Sequence, residues 1–249
     1  MINMAMRSLA TGLLLIGAFA ANAADHAPHW AYGGEHGPGK WGEMEADFAT
    51  CKLGHEQSPI DIRNAEKSAL PALDFEYTKS TGEIVNNGHS IQINLDDGGV
   101  LKLDGVPYKL VQFHFHAPSE EKINGKGYSM VAHLVHQSAD GKLAVIAVLL
   151  TEGKANAALD LVFKRFPQTV GSEKALDGDF NANDLLPATR NYYKYVGSLT
   201  TPPCSEGVRW QVLKQPVELS KGQIAAFRKL YSMNARPIQP VNGRKIEEN

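Results

Sequence analysis

The sequence predicts one domain of mainly β character, an α+β chain with a large sheet and a few short surface helices. Three observations carry that expectation. From Leu73 onward, short alternating or fully apolar runs recur, broken by Asn-Gly and Asp-Gly turn signals. Only two segments repeat apolar residues at helical spacing. No repeat, low-complexity tract or linker divides the chain, and the roughly 226 residues left after an N-terminal leader suit one large domain.

The leader is residues 1–23. Arg7 gives a short basic start, Leu9 to Ala20 an apolar stretch centred on Leu13-Leu14-Leu15-Ile16, and Ala21-Asn22-Ala23 an A-x-A cleavage signal. The apolar stretch is short for a membrane span. Cleavage is therefore expected rather than an uncleaved anchor, leaving a mature domain over residues 24–249. The A-x-A form suits bacterial export to the periplasm, with release outside the cell as the alternative. No later segment reaches spanning length, so no membrane association is expected after cleavage. Lys and Arg total 25 against 27 Asp and Glu, and no basic run occurs. That balance argues against nucleic acid or an anionic membrane as partner. Cys51 and Cys204 lie in Gly-, Pro- and Ser-rich surroundings of an exported chain. A disulfide is the natural reading there; two free thiols or a thiolate-bound zinc are the alternatives. The oligomeric state is left open, a homodimer included.

Taken in order, residues 24–58 hold many Gly, His, Trp and Pro with little periodicity and read as surface loops. Gln57-Ser58-Pro59-Ile60-Asp61-Ile62 ends a turn and begins an extended segment. Glu83-Ile84-Val85 precedes the turn Asn86-Asn87-Gly88, and His89 to Leu95 alternates around Ile91, Ile93 and Leu95. Asp97-Gly98-Gly99 reads as a hairpin turn into Val100-Leu101-Lys102-Leu103. Val111 to His116 and Val131 to His136 are two further strands. Side chains alternate faces along a strand. His114 and His116 therefore share a face with Gln112, while Val111, Phe113 and Phe115 point into apolar packing. In the second strand Val131, His133 and Val135 share one face, and Ala132, Leu134 and His136 the other. Asp140-Gly141 turns the chain into Leu143–Leu150, apolar on both faces and so a central buried strand. Helices are expected over Ala155–Phe166, ended by Pro167, and over Ser220–Tyr231, where Ser220 and Gln223 make a capping box.

Four of the nine histidines fall between positions 114 and 136. If the two strands lie near each other in one sheet, His114, His116 and His133 can present three imidazoles on one face. Three imidazoles and an open position form the donor set of a catalytic Zn2+ that activates water. His136, on the opposite face, reads as a structural hydrogen-bonding residue. His26, His29, His36 and His55 are scattered through the N-terminal loops and receive no role.

Gln112-Phe113-His114-Phe115-His116, Glu120, Ala132-His133-Leu134-Val135-His136 and Gly197-Ser198-Leu199-Thr200-Thr201-Pro202-Pro203 resemble the α-class carbonic anhydrases. Gln57 to Ile62, Asn86 to His89 and Arg236-Pro237-Ile238-Gln239-Pro240 fit as well, in the family's order, so the resemblance covers nearly the whole mature chain. It implies a large, twisted, mostly antiparallel sheet with the metal at the foot of a conical cleft. It implies Zn2+ held by His114, His116 and His133, with Gln112 supporting the first. Carbon dioxide and bicarbonate are then the substrates, interconverted by attack of a zinc-bound hydroxide. Thr200 would accept that hydroxide's hydrogen bond and pass its own proton to Glu120. Thr201 would contact bicarbonate, and Val135, Val145, Leu199 and Trp210 would line the apolar side. His89, bottom-up only a solvated turn residue, would be the proton shuttle, with Tyr32, Asn87 and Gln92 holding the intervening waters. The cysteine positions match the Cys51–Cys204 disulfide of exported bacterial members.

The chain also departs from the family. Glu121 stands where the family commonly has histidine, and Val131 where it has the glutamate that orients the third ligand. The expectation is that Glu121, with Tyr195, reaches His133 in place of that glutamate; donation from His133 to a backbone carbonyl or water is the alternative. Gln92, where asparagine is frequent, is a milder change. Two other classes compete. His114-x-His116-x-x-x-Glu120 also fits the first metal motif of cupins, with iron or manganese, but a cupin leaves Leu199 to Pro203 unexplained. A non-enzymatic binding module on the same fold is supported only by the altered surroundings of His133.

Overall fold

The computed structural model describes residues 29–249; the expected leader, residues 1–23, and His26 lie outside the described residues. The strands run in order β1 Asp61–Ile62, β2 Glu66–Lys67, β3 Asp74–Tyr77, β4 Lys79–Asn86 and β5 Ile91–Leu95. There follow β6 Gly99–Leu103, β7 Val106–His116, β8 Lys122–Ile123, β9 Met130–Ser138 and β10 Leu143–Glu152. The last five are β11 Glu173–Asn181, β12 Tyr192–Ser198, β13 Glu206–Leu213, β14 Val217–Leu219 and β15 Glu247–Glu248. Thirteen strands form one sheet ordered β11-β4-β5-β7-β9-β10-β13-β12-β15-β2, with β6 beside β7, β3 beside β6 and β14 beside β10. Most neighbours are antiparallel; β10 pairs in parallel with β13 and β14, as does β15 with β2.

The sheet separates two cores. Ala144, Ile146, Val148 and Leu150 of β10 enter one, with Phe113, Phe115 and Leu134. Val145, Ala147 and Leu149 enter the other, with Trp210, Val208 and Tyr195. That two-sided burial is the reason the strand carries an unbroken apolar run. Each large aliphatic side chain so removed from water contributes about 1.5–3 kcal/mol.

One irregularity sets the orientation of the metal-type face. Leu110 pairs with His136 but Gln112 with Val135, so β7 carries an extra residue at Val111. Both Leu110 and Phe113 are then buried in the same core, although they are an odd number of residues apart. A bulge switches the alternation in this way. Val111 is accordingly 40% exposed, which corrects the expectation that it packs with Phe113 and Phe115.

Other expectations change as well. Asp97-Gly98-Gly99 is not a hairpin turn, because β5 and β6 both pair with β7, one after the other along its length. Gly99 (φ 81°) makes a corner there, where a Cβ would collide with the Glu76 carbonyl. The tight hairpin is one step later, at Asp104-Gly105, where Leu103 faces Val106 and both turn residues have positive φ, the requirement of a type I′ turn. The N-terminal segment is less irregular than expected: it holds α1 (Trp41–Met44), α2 (Thr50–Leu53) and two short 3-10 turns. Single helical turns are too brief to show a period. Helix α3 covers only Ala157–Phe163, capped by the Asn156 side chain, whereas α4 (Lys221–Leu230) has the expected capping box at Ser220 and Gln223.

Candidate active site

The register between β7 and β9 places His114 directly opposite His133. His116 lies two residues along on the same face, and the three rings converge with centroids 4.7–5.5 Å apart. One ligand-type atom from each lies within 4.8 Å of the others. Each ring is turned by an acceptor behind it. His114 Nδ1 donates to Gln112 Oε1 (2.9 Å), His116 Nδ1 to the Asn234 carbonyl (2.7 Å) and His133 Nε2 to Glu121 Oε1 (2.9 Å). Because every partner is an acceptor, these nitrogens carry the protons, and the nitrogens facing the cleft are bare.

The bare atoms lack what would satisfy them. His116 Nε2 is buried with no hydrogen-bond partner, and so is Glu120 Oε2. The two stand 3.4 Å apart, with His133 Nδ1 3.8 Å from the same carboxylate oxygen. Buried nitrogens converging on one point suit a cation, and three imidazoles suit Zn2+. Electrostatics agree for His114 and His116. Burial, then the charge of His133, pulls His114 down to about 3, and burial holds His116 well below the ordinary range. Both are neutral at physiological pH, the form that can bind a metal. Burial also disfavours charge on His133, but Glu121 and Glu120 outweigh it and raise its pKa.

Glu120 is held from below. Arg236 N–H donates to Oε1 (2.7 Å), and the Arg236 guanidinium is tied to Gln57, Ser58 and Cys51. Burial pushes Glu120 up to about 7, against the opposing pull of His133, Arg236 and the Thr200 hydroxyl. A dication beside it would favour the carboxylate. Thr200 and Thr201 follow β12 on a loop pinned by Leu199 N–H to Ser205 O (3.0 Å) and Cys204 N–H to Thr201 O (2.8 Å). Cys204 is disulfide-bonded to Cys51, with Cα atoms 5.0 Å apart.

A cleft of about 230 Å³ opens over the histidines. It brings together His114, His116, His133, Gln112, Thr200, Thr201, Val135, Val145, Leu199, Trp210, Tyr32, Asn87, Gln92 and His89. Glu120 and Glu121 are buried beneath it. At the rim, Asn87 Oδ1 accepts from the N–H groups of His89 and Ser90, and Asn87 Nδ2 donates to Gln92 Oε1 (3.3 Å). His89 stacks on Trp30, and burial, with the charge of His29, lowers its pKa. His136 faces the other way, as expected: it is buried and bonded to the Tyr77 hydroxyl (2.6 Å).

Two contributors were not legible in the sequence. Asn234 accepts from His116 and Ala117 and donates to the carbonyls of His89 and Phe115, joining the Asn87–Ser90 loop to the histidine strand. Nothing in its own neighbourhood marks it. Trp30 lines the cleft, although only its aromatic character in a loop signals it.

The fold and the site define a sheet protein with a three-histidine metal-type centre at the base of a half-apolar cleft. The family model for eukaryotic-type carbonic anhydrase matches residues 36–249. A carbonic anhydrase of Pectobacterium carotovorum is 44% identical over 239 residues, covering 96% of this chain and 98% of its own. One from Pectobacterium atrosepticum is 43% identical, covering 94% and 96%. Among solved structures, the α-carbonic anhydrase of Thermovibrio ammonificans superposes with TM-score 0.87 at 44% identity, covering 88% of this chain and 99% of that one. The chain therefore belongs to the α-class, eukaryotic-type carbonic anhydrase family of enzymes. That membership removes the cupin alternative.

Proposed function

We propose that the protein interconverts carbon dioxide and bicarbonate using Zn2+ held by His114, His116 and His133. The observation that carries the metal assignment is the buried, unpartnered Nε2 of His116 facing the other two ligand atoms. Zinc held there would supply Lewis acidity that brings the pKa of a bound water down to near 7, as is established for carbonic anhydrases.

The chain's own groups do the rest. Arg236 N–H occupies Glu120 Oε1, which fixes the carboxylate and leaves its other oxygen to take the Thr200 proton. Thr200 then offers only a lone pair to the cleft. It selects a nucleophile that can donate a hydrogen bond and orients it, a positioning effect. Thr201 takes bicarbonate. Val135, Val145, Leu199 and Trp210 give carbon dioxide an apolar wall that a small uncharged molecule can occupy. His89 accepts the released proton through waters held by Tyr32, Asn87 and Gln92 and passes it to solvent. Residues 1–23 direct export and are removed, residues 24–249 form the mature domain, and the periplasm is its compartment, which suits the disulfide.

The test is metal analysis beside stopped-flow carbon dioxide hydration, on wild type and His114→Ala. One equivalent of zinc and rapid hydration in the wild type, both lost in the variant, is the expected outcome. An inactive, zinc-free wild type overturns the proposal.

A further inference from the structure

Glu121 is a carboxylate with no exposed surface. Among the described residues its one ion-pair partner is His133, through Oε1 at 2.9 Å. Burying a carboxyl group this completely is costly unless it is hydrogen-bonded, and the bond it makes is to His133. Its backbone is pinned as well: the Ser119 hydroxyl donates to the Glu121 carbonyl (2.9 Å). The strand that carries His133 offers no alternative acceptor on that face, since Val131, two residues before it, is apolar and fully buried. The acceptor therefore comes from the loop after β7 rather than from β9.

The partners behind the three rings differ in kind. His114 donates to an amide oxygen, His116 to a main-chain carbonyl and His133 to a carboxylate. Glu121 Oε2 is buried without a hydrogen-bond partner, and Tyr195 packs in the core that also holds Val131 and Trp210. Tyr195 is itself fixed by stacking on Trp210, which lines the cleft.

Resting on the reading of the three histidines as metal ligands, we infer that Glu121 is the positioning residue for the third ligand. It holds the Nε2 proton of His133, presents Nδ1 bare to the metal and fixes the ring plane. A negatively charged acceptor also makes that imidazole the most electron-rich of the three. Loss of Glu121 should thus loosen the metal more than loss of Gln112.

The test is zinc release into excess chelator from the full-length holoprotein, followed in wild type, Glu121→Gln, Glu121→Ala and Gln112→Ala. It is paired with the visible spectrum of the cobalt-substituted forms and the thermal stability of each apoprotein. Second-partner losses of this kind typically change metal affinity 10- to 100-fold. Glu121→Ala should release zinc faster by about that factor, with Glu121→Gln intermediate and Gln112→Ala less affected. The cobalt band should change in the Glu121 variants. Glu121→Gln is nearly isosteric, so it keeps the test valid if the alanine variant fails to fold. Wild-type release rates and unchanged cobalt spectra in both Glu121 variants overturn the inference. A wild type that holds no zinc instead overturns the metal reading beneath it.

Discussion

The ring of His89 lies flat on Trp30, with centroids 3.6 Å apart and planes within 8°. An imidazole held this way is fixed where it lines the cleft. Replacing it with alanine should slow turnover in dilute buffer by about 10²-fold, the lower end for positioned proton transfer. Added imidazole should restore the rate. Unchanged turnover in weak buffer would remove His89 from the shuttle role.

Thr200 stands over Glu120 on a loop fixed at both ends. Thr200→Ala should lower kcat/KM by about 10²-fold through lost orientation, while zinc content stays at one equivalent. Thr200→Ser keeps the hydroxyl and should recover most of the rate. Loss of zinc together with activity would show that the residue acts on the metal instead.

On this proposal, removal of the metal should inactivate the enzyme and destabilise it, because an ion held by His114, His116 and His133 favours the folded chain that brings them together. Mass action puts the stabilisation at about 2.7 kcal/mol when free metal is 100 times the Kd. Scanning calorimetry of apo and zinc-restored protein checks this; equal Tm values would contradict it.

His136 supplies a pH dependence on the far side of the sheet. Burial pulls its pKa down to about 4, against ~6.5 in the unfolded chain. Between those values the unfolded state binds more protons, so stability rises with pH across the window. It is lost as pH falls from ~6.5 through about 4, by at most about 3 kcal/mol. His136→Asn should flatten that slope even if its stability at neutral pH is lower. Parallel urea-denaturation curves for both proteins at each pH would refute it.

The disulfide spans 153 residues of sequence. Loop-entropy arguments place its contribution at about 2–5 kcal/mol. The Cys51→Ser, Cys204→Ser double variant should lose stability in that range by equilibrium unfolding, and a loss below about 1 kcal/mol would mean the packing around Trp41 carries that region alone.

Strands whose periodicity is local were readable from the chain: Leu143–Leu150, the histidine strands and the helix at Ser220 all occur where the pattern puts them. So did the histidine face, because its ligands sit on two antiparallel neighbours. The bulge at Val111 was not readable, since one extra residue leaves no mark on composition yet reverses the alternation. Strands β11 to β13 were not marked; their pairing shifts register between Leu176 and Phe180 and between Gly197 and Ser198. Asn234 escaped notice because its four partners lie up to 145 residues away. Glu121 was legible only as a departure from the family pattern, and its hydrogen bond to His133 became visible with the packing.

The bonds that complete the site differ in reach. The three histidines occupy one antiparallel pair, β7 and β9. The Glu120–Arg236 bond spans 116 residues, the Ser58–Ser198 bond 140 and the disulfide 153. Contacts of long reach close late, because the loop entropy must be met first. A chain emerging from its N-terminus thus carries all three histidines of the metal-type face well before it carries Thr200 or Arg236.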